Sequence, residues 1–124
     1  MTARDPADVF TRDCPSRATV ENVSGKWGIL ALVALHEGAF RFSALRRRVD
    51  GVSERMLSQT LHALERDGLV IRDVRSTIPP HVEYSLTTLG SDMAKRLKAM
   101  IDLIEGSMEE ILEARREYDS RAGG

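Results

Sequence analysis

A chain of 124 residues, 42% hydrophobic and 30% charged, is long enough to bury one core without metal or disulfide staples. Its single cysteine, Cys14, excludes an intrachain disulfide and fits a reducing compartment, while 5% aromatic content disfavours a large β-sandwich. The net charge of −1 offers no bulk attraction for nucleic acid, so any such role must rest on local charge. That local charge is uneven: residues 41–87 hold eight arginines against six acids, whereas residues 88–124 hold six bases against eight acids. Arg41, Arg46, Arg47 and Arg48 fall in one eight-residue stretch, which on charge alone reads as a solvated helix face. The longest apolar run, Ile29 to Leu35, is too short to span a bilayer. The first twelve residues carry Arg4, Asp5, Asp8 and Arg12 and no apolar stretch, so no signal peptide is expected and the expected location is the cytoplasm.

Residues 1–13 read as a flexible N-terminal arm and residues 119–124 as a flexible tail, leaving 14–118 as one domain. Ser16 is a candidate N-cap for a short helix over 17–23, which Ser24-Gly25 breaks. A second helix is predicted from Lys26 to His36, with Trp27, Leu30, Ala31, Ala34 and Leu35 at helical spacing and Gly38 beyond its end. Phe42-Ser43 opens a third helix, Ala44 to Val49, and Asp50-Gly51 makes a turn. Ser53 then caps a fourth helix, Glu54 to Asp67, with Gly68 as its stop. The period changes at Leu69–Val74, which reads as a strand; Val82, Tyr84 and Leu86 alternate with polar residues and read as its antiparallel partner. Ser76 to Pro80 joins them, stiffened by two prolines. Thr87 caps a last helix running over 88–118. Along it Leu89, Met93, Leu97, Met100, Ile104, Met108 and Ile111 form one apolar stripe at spacings of 4, 4, 3, 4, 4 and 3. The fold class is therefore mainly α with a small β-hairpin: a winged helix-turn-helix plus a long C-terminal dimerisation helix.

The fourth helix has two faces at about 100° per residue. Leu57, Thr60, Leu61 and Leu64 cluster on one. Arg55, Gln59, His62 and Arg66 cluster opposite, with Ser58 beside them and Ser53 at the cap. Arginine pairs bidentately with guanine, glutamine with adenine, and serine with either, so this face has the chemistry to read base edges in a major groove. The same pattern on its own is also an ordinary polar outer face. Arg72, Arg75 and His81 on the hairpin have the reach for phosphates or the minor groove, the alternative being a solvent-facing hairpin.

Several short motifs occur in order. They are Cys14-Pro15, Gly25-Lys26-Trp27, Arg41-Phe42-Ser43-x-Leu45-Arg46, and the run from Gly51 to Leu61. After them come Leu64-Glu65-x-Asp67-Gly68-Leu69-Val70, Pro79-Pro80-x-Val82-Glu83-Tyr84-Ser85-Leu86-Thr87, and Leu89-Gly90. In this the chain resembles the HxlR-type winged-helix transcription regulators, bacterial proteins related to the MarR group, over about residues 14 to 112. The resemblance implies a homodimer that binds double-stranded DNA, reads its operator with the fourth helix and pairs its subunits through the terminal helices. The dimer contacts fall to Leu97, Met100, Ile104, Met108 and Ile111. Three positions depart from the family pattern: His81 replaces a usual Lys or Arg, Ala44 a usual Glu and Ser24 a usual Gly. The first makes the wing's charge depend on pH.

Cys14 precedes the first helix between Arg12 and Arg17. Positive charge and a helix N-terminus both favour thiolate, and Asp13 opposes them. Several HxlR-type proteins are similar in carrying a cysteine here and answer to oxidants, quinones or aldehydes. Two readings stand: a redox- or electrophile-sensing thiol, and a cysteine that simply packs. Enzymatic readings find little support. His36, His62 and His81 lie on separate elements without metal-ligand spacing, and neither a phosphate-binding Gly-rich loop nor a nucleophile elbow occurs. No cofactor is expected. Two rivals to the DNA-binding regulator are a winged-helix protein-interaction module and a small-molecule-binding regulator with a pocket at the dimer interface.

Overall fold

The structure, a computed structural model, describes residues 6–123. Its elements run α1 (Pro15–Ser24), α2 (Lys26–His36), β1 (Phe40–Arg41), α3 (Phe42–Arg48), α4 (Glu54–Arg66), β2 (Val70–Arg75), β3 (His81–Leu86), α5 (Thr88–Gly106) and α6 (Met108–Gly123). This is a winged helix: a helical bundle with a small antiparallel sheet in the order β1-β3-β2.

The apolar helix α2 is the hub, packing against α1, α3, α4, α5 and β3. A helix surrounded on so many sides has little need of a polar face, which is why its sequence is hydrophobic nearly all round. Ala31, Leu32, Ala34 and Leu35 are buried together with Leu45, Val49, Val52, Leu57, Leu61, Leu64, Leu69 and Tyr84. Leu30, expected in this core, instead stays 40% exposed, and Leu32 takes the inward place.

Local chemistry sets the element ends. The Ser53 hydroxyl accepts from Met56 N–H at 3.1 Å, capping α4. At the other end of α4, Gly68 adopts φ +75°, a conformation costly for any residue with a Cβ, and Leu69 N–H returns to the Leu64 carbonyl at 2.9 Å. The Thr87 hydroxyl accepts from Gly90 N–H at 3.0 Å and donates to the Gly68 carbonyl at 2.7 Å, so one side chain caps α5 and ties it to the end of α4. Asn22 Nδ2 donates to Asp67 at 3.1 Å and fastens α1 to the same corner.

Four expectations change. Cys14, not Ser16, occupies the N-cap position of α1, because Pro15 pre-sets the first helical φ and leaves no orphan N–H there. A third strand, β1, precedes α3 and pairs Phe40 with Tyr84 and Arg41 with Glu83. A two-residue strand has too little alternation to be seen in sequence. The single helix expected over 88–118 is two helices interrupted at Ser107, where a Gly106-Ser107 pair breaks the regular pattern and Glu109 and Glu110 favour a fresh helix start. Finally, α6 continues through 119–123, beyond the expected end of the domain.

Of the expected N-terminal arm, residues 1–5 lie outside the described part. Residues 6–13 form turns against the start of α1: Asp8 accepts from Phe10 N–H and the Thr11 hydroxyl, and Ser16 N–H reaches the Pro6 carbonyl at 3.1 Å.

Candidate nucleic-acid interface

The helix α4 buries Leu57, Leu61 and Leu64 against the core, and this fixes its rotation about its own axis. Arg55, Ser58, Gln59, His62 and Arg66 are consequently all exposed, as is the cap residue Ser53. The structure brings these six candidate residues onto one outward surface, along one helix of 13 residues. Among the described residues neither Arg55 nor Arg66 makes an ion pair, so their guanidinium donors remain available to a ligand. Met56, 41% exposed in the first turn, adds an apolar group that sequence reasoning passed over. Such a side chain suits a thymine methyl.

A second basic element borders α4. An open groove of about 590 Å³ is lined by Phe42, Ser43, Arg46, Arg47, Gly51, Val52, Ser53 and Glu54, between α3 and the start of α4. Phe42 and Leu45 hold α3 in place, Phe42 stacking obliquely on Tyr84 at 6.3 Å, and this turns Arg46 and Arg47 outward. Arg46 Nε donates to the Val52 carbonyl at 3.4 Å, a contact that leaves its charge intact. Arg48 points away from this groove and is neutralised by Glu37 at 2.9 Å. The arginine run read from sequence as a solvated face therefore divides. Two of its members, Arg46 and Arg47, flank the start of α4, and the signal was present in the density of arginine before a capped helix.

On the hairpin, pairing of Val70–Arg75 with His81–Leu86 places Arg75 opposite His81 and Arg72 opposite Tyr84. Strand side chains alternate between faces, so Arg72 lies on one face and Arg75 on the other with Asp73 and Glu83. The three wing candidates are thus not brought together. Arg75 pairs with Asp73 at 2.8 Å and with Glu83 at 3.8 Å, and His81 Nε2 lies 3.0 Å from Glu83. The His81 contact holds the Glu83 carboxyl below its ordinary range; burial opposes this, and Arg75, His81 and Arg41 add to it. Arg75 is therefore largely balanced by its neighbours, whereas Arg72 is exposed and without an ion pair among the described residues.

Cys14 is only 2% exposed. Burial pushes its thiol up, but the Ser16 hydroxyl at 3.3 Å and the backbone N–H groups of Ser16, Asp8 and Arg17 outweigh this and leave it below the ordinary thiol range. The pull comes from hydrogen bonds, not from the charges of Arg12 and Arg17.

The apolar stripe of the C-terminal helices changes role along its length. Met93 and Leu97 pack on the core of their own chain. Met100, Leu103, Ile104, Leu112 and Tyr118 are exposed, Leu103 by 70%, and Met108 and Ile111 are half-buried. Leu97, one of the expected contact residues, is thus partly buried against its own core, while Leu103 and Leu112, outside the expected set, are exposed. Among the described residues no helix is long and apolar enough to cross a membrane.

The HxlR-like helix-turn-helix profile matches residues 22–112, from the end of α1 into α6. The chain belongs to the HxlR-like helix-turn-helix family. The HTH-type transcriptional regulator YtfH of Escherichia coli K12 is 49% identical over 110 residues, covering 89% of this chain and 87% of that one. The structure of the transcriptional regulator ytfH from Salmonella typhimurium superposes with a TM-score of 0.82 at 47% identity, covering 88% of this chain and 97% of that one. The redox regulator HypR, in its oxidized form, matches with a TM-score of 0.68 at 35% identity, over 75% of this chain and 96% of HypR. The HxlR-like chain described here is accordingly a transcriptional regulator of the helix-turn-helix kind.

Proposed function

We propose that this HxlR-like regulator is a homodimer that binds double-stranded DNA sequence-specifically, with α4 in the major groove and residues 14–118, extended by the remainder of α6, as its working unit. The observation that carries the reading is the two-sided α4. Its buried leucines fix the helix, and its opposite surface presents Arg55, Ser58, Gln59, His62 and Arg66 without internal ion pairs. Base edges are the partners such a set suits, with Ser53 and Ser58 permissive and Arg55 and Gln59 selective. Selecting genomic fragments with the purified protein and footprinting them tests it. Arg55→Ala and Gln59→Ala should each cost about 1–3 kcal/mol of specific affinity. Equal losses on operator and random DNA after Arg55→Ala would show that Arg55 does not read bases.

A second element of the proposal is regulation through Cys14 by an oxidant or electrophile. The lowered thiol range and the likeness to the redox regulator HypR support it. With 2% exposure, reaction requires the turns over residues 6–13 to open, so access is the controlling step. As this is the chain's one cysteine, the product is a modified thiol or a bond to another molecule. Operator affinity before and after mild peroxide or quinone, in wild type and Cys14→Ser, decides it. Loss in wild type alone supports sensing. Retention in wild type, or equal loss in both, leaves Cys14 a packing residue.

A further inference from the structure

The wing ends in an apolar side chain that no other described residue covers. Ile78 is 100% exposed, at the middle of a five-residue loop whose members are all exposed. The loop is nonetheless tied down. The Thr77 hydroxyl donates to the Pro79 carbonyl at 3.1 Å and lies 3.1 Å from His81 Nδ1. Pro79 and Pro80 add fixed φ angles on the far side. A rigid loop therefore holds an isoleucine in solvent.

The face of the wing below the tip has a matching composition. Val70, Arg72 and Val74 share one face of β2, opposite Leu86, Tyr84 and Val82. Val74 is 59% exposed next to the loop, and Arg72 lies two residues below it, without an ion pair among the described residues. The acidic groups of the wing, Asp73 and Glu83, lie on the opposite face and are taken up by Arg75 and His81. The base of this face, Val70 and Tyr84, is buried in the core, so its exposed part is Arg72 and Val74, directly below the loop that carries Ile78.

We propose that Ile78 is a wedge that enters the minor groove of bound DNA and partly unstacks one base step. The inference rests on the DNA-binding reading above. Minor-groove proteins combine cations with an apolar wedge of this kind, trading unstacking for a bent duplex that touches more protein. Size favours DNA over a protein partner. A stable protein interface takes about 800 Å² from each side, far more than one apical side chain and its neighbour present. A minor groove about 6 Å wide is too narrow for the hairpin itself but admits a single side chain projecting from its tip, as Ile78 does. Flexible pyrimidine–purine steps are the sites where such a wedge costs least.

The test uses the full chain and the genomic duplex it retains most tightly, with 2-aminopurine placed at successive steps under the wing and the ends labelled for bend measurement by energy transfer. Wild type should bend the duplex and brighten the probe at one step per half-site. Ile78→Ser should lose both signals and about tenfold in affinity, and Ile78→Leu should keep them. Unchanged bend, probe signal and affinity in Ile78→Ser would overturn the wedge while Arg55→Ala still shows whether α4 reads the site. If wild type retains no duplex above random DNA, the DNA-binding reading fails and the wedge with it.

Discussion

At the scale of single residues, the wing illustrates how one histidine couples charge to structure. The Thr77 hydroxyl donates to the Pro79 carbonyl and lies 3.1 Å from His81 Nδ1, while His81 Nε2 lies 3.0 Å from the Glu83 carboxylate. The carboxyl of Glu83 is held low chiefly by this contact. A depressed folded-state value means that its contribution is present above the unfolded-state value and lost as pH falls through the folded one. His81→Ala should raise the Glu83 titration toward the ordinary carboxylate range, measured by carboxyl NMR, and should shrink the acid-side loss of stability. An unmoved Glu83 would assign its depression to Arg75 and Arg41 instead. Gly90 is the other residue whose role sequence left unexplained. A Cβ there would lie 1.9 Å from the Leu69 carbonyl oxygen, a backbone atom that cannot swing aside. Gly90→Ala should therefore cost about 1–3 kcal/mol in urea unfolding by forcing α5 away from the end of α4. A change within about 0.5 kcal/mol would show that this helix start is free to shift.

At the scale of elements, the balance of charge divides labour between α3 and the wing. Among the described residues Arg46 and Arg47 make no ion pair, Glu54 being the one carboxylate that lines their groove, whereas Arg75 sits between Asp73 and Glu83. Each phosphate neutralised contributes about 0.9 to the slope of log affinity against log salt. Arg47→Ala should flatten that slope by about one per subunit, and Arg75→Ala by clearly less. A larger effect at Arg75 would mean that DNA draws it away from its carboxylates. Helix α4 and the start of α5 were legible in sequence because caps and period agree there: Ser53, Gly68 and Thr87 stand where expected, whereas the apolar stripe runs unbroken across Ser107 and hides the division into α5 and α6. The face of α4 was legible for the same reason. What sequence could not resolve were features decided by pairing and partition. The strand β1 exists only through Phe40 and Arg41 meeting β3. The faces of Arg72 and Arg75 follow from register, and the split of the arginine run follows from Glu37 reaching Arg48.

At the scale of the whole molecule, the exposed C-terminal face sets the expected assembly. Met100, Leu103, Ile104, Leu112 and Tyr118 expose apolar surface that no described part of the chain covers, and a second copy related by a two-fold axis is expected to bury it. The half of the stripe that serves the fold, Met93 and Leu97, is separate from the half that is exposed, so the two roles can be uncoupled by mutation. Leu103→Glu should yield a folded monomer in sedimentation at micromolar concentration, with its helical circular dichroism largely kept because Leu103 is outside the core. Leu97→Glu should instead unfold the chain. Two copies of α4 related by the same axis require a near-palindromic operator, with half-site centres about 10 bp, or a small multiple, apart. In the monomer the two half-sites are bound independently, so Leu103→Glu should abolish the affinity gain of the full palindrome over a single half-site while leaving half-site binding in place. A wild-type protein that sediments as a monomer, or a variant that retains the full gain, would remove this face from the dimer and place the subunit contact elsewhere.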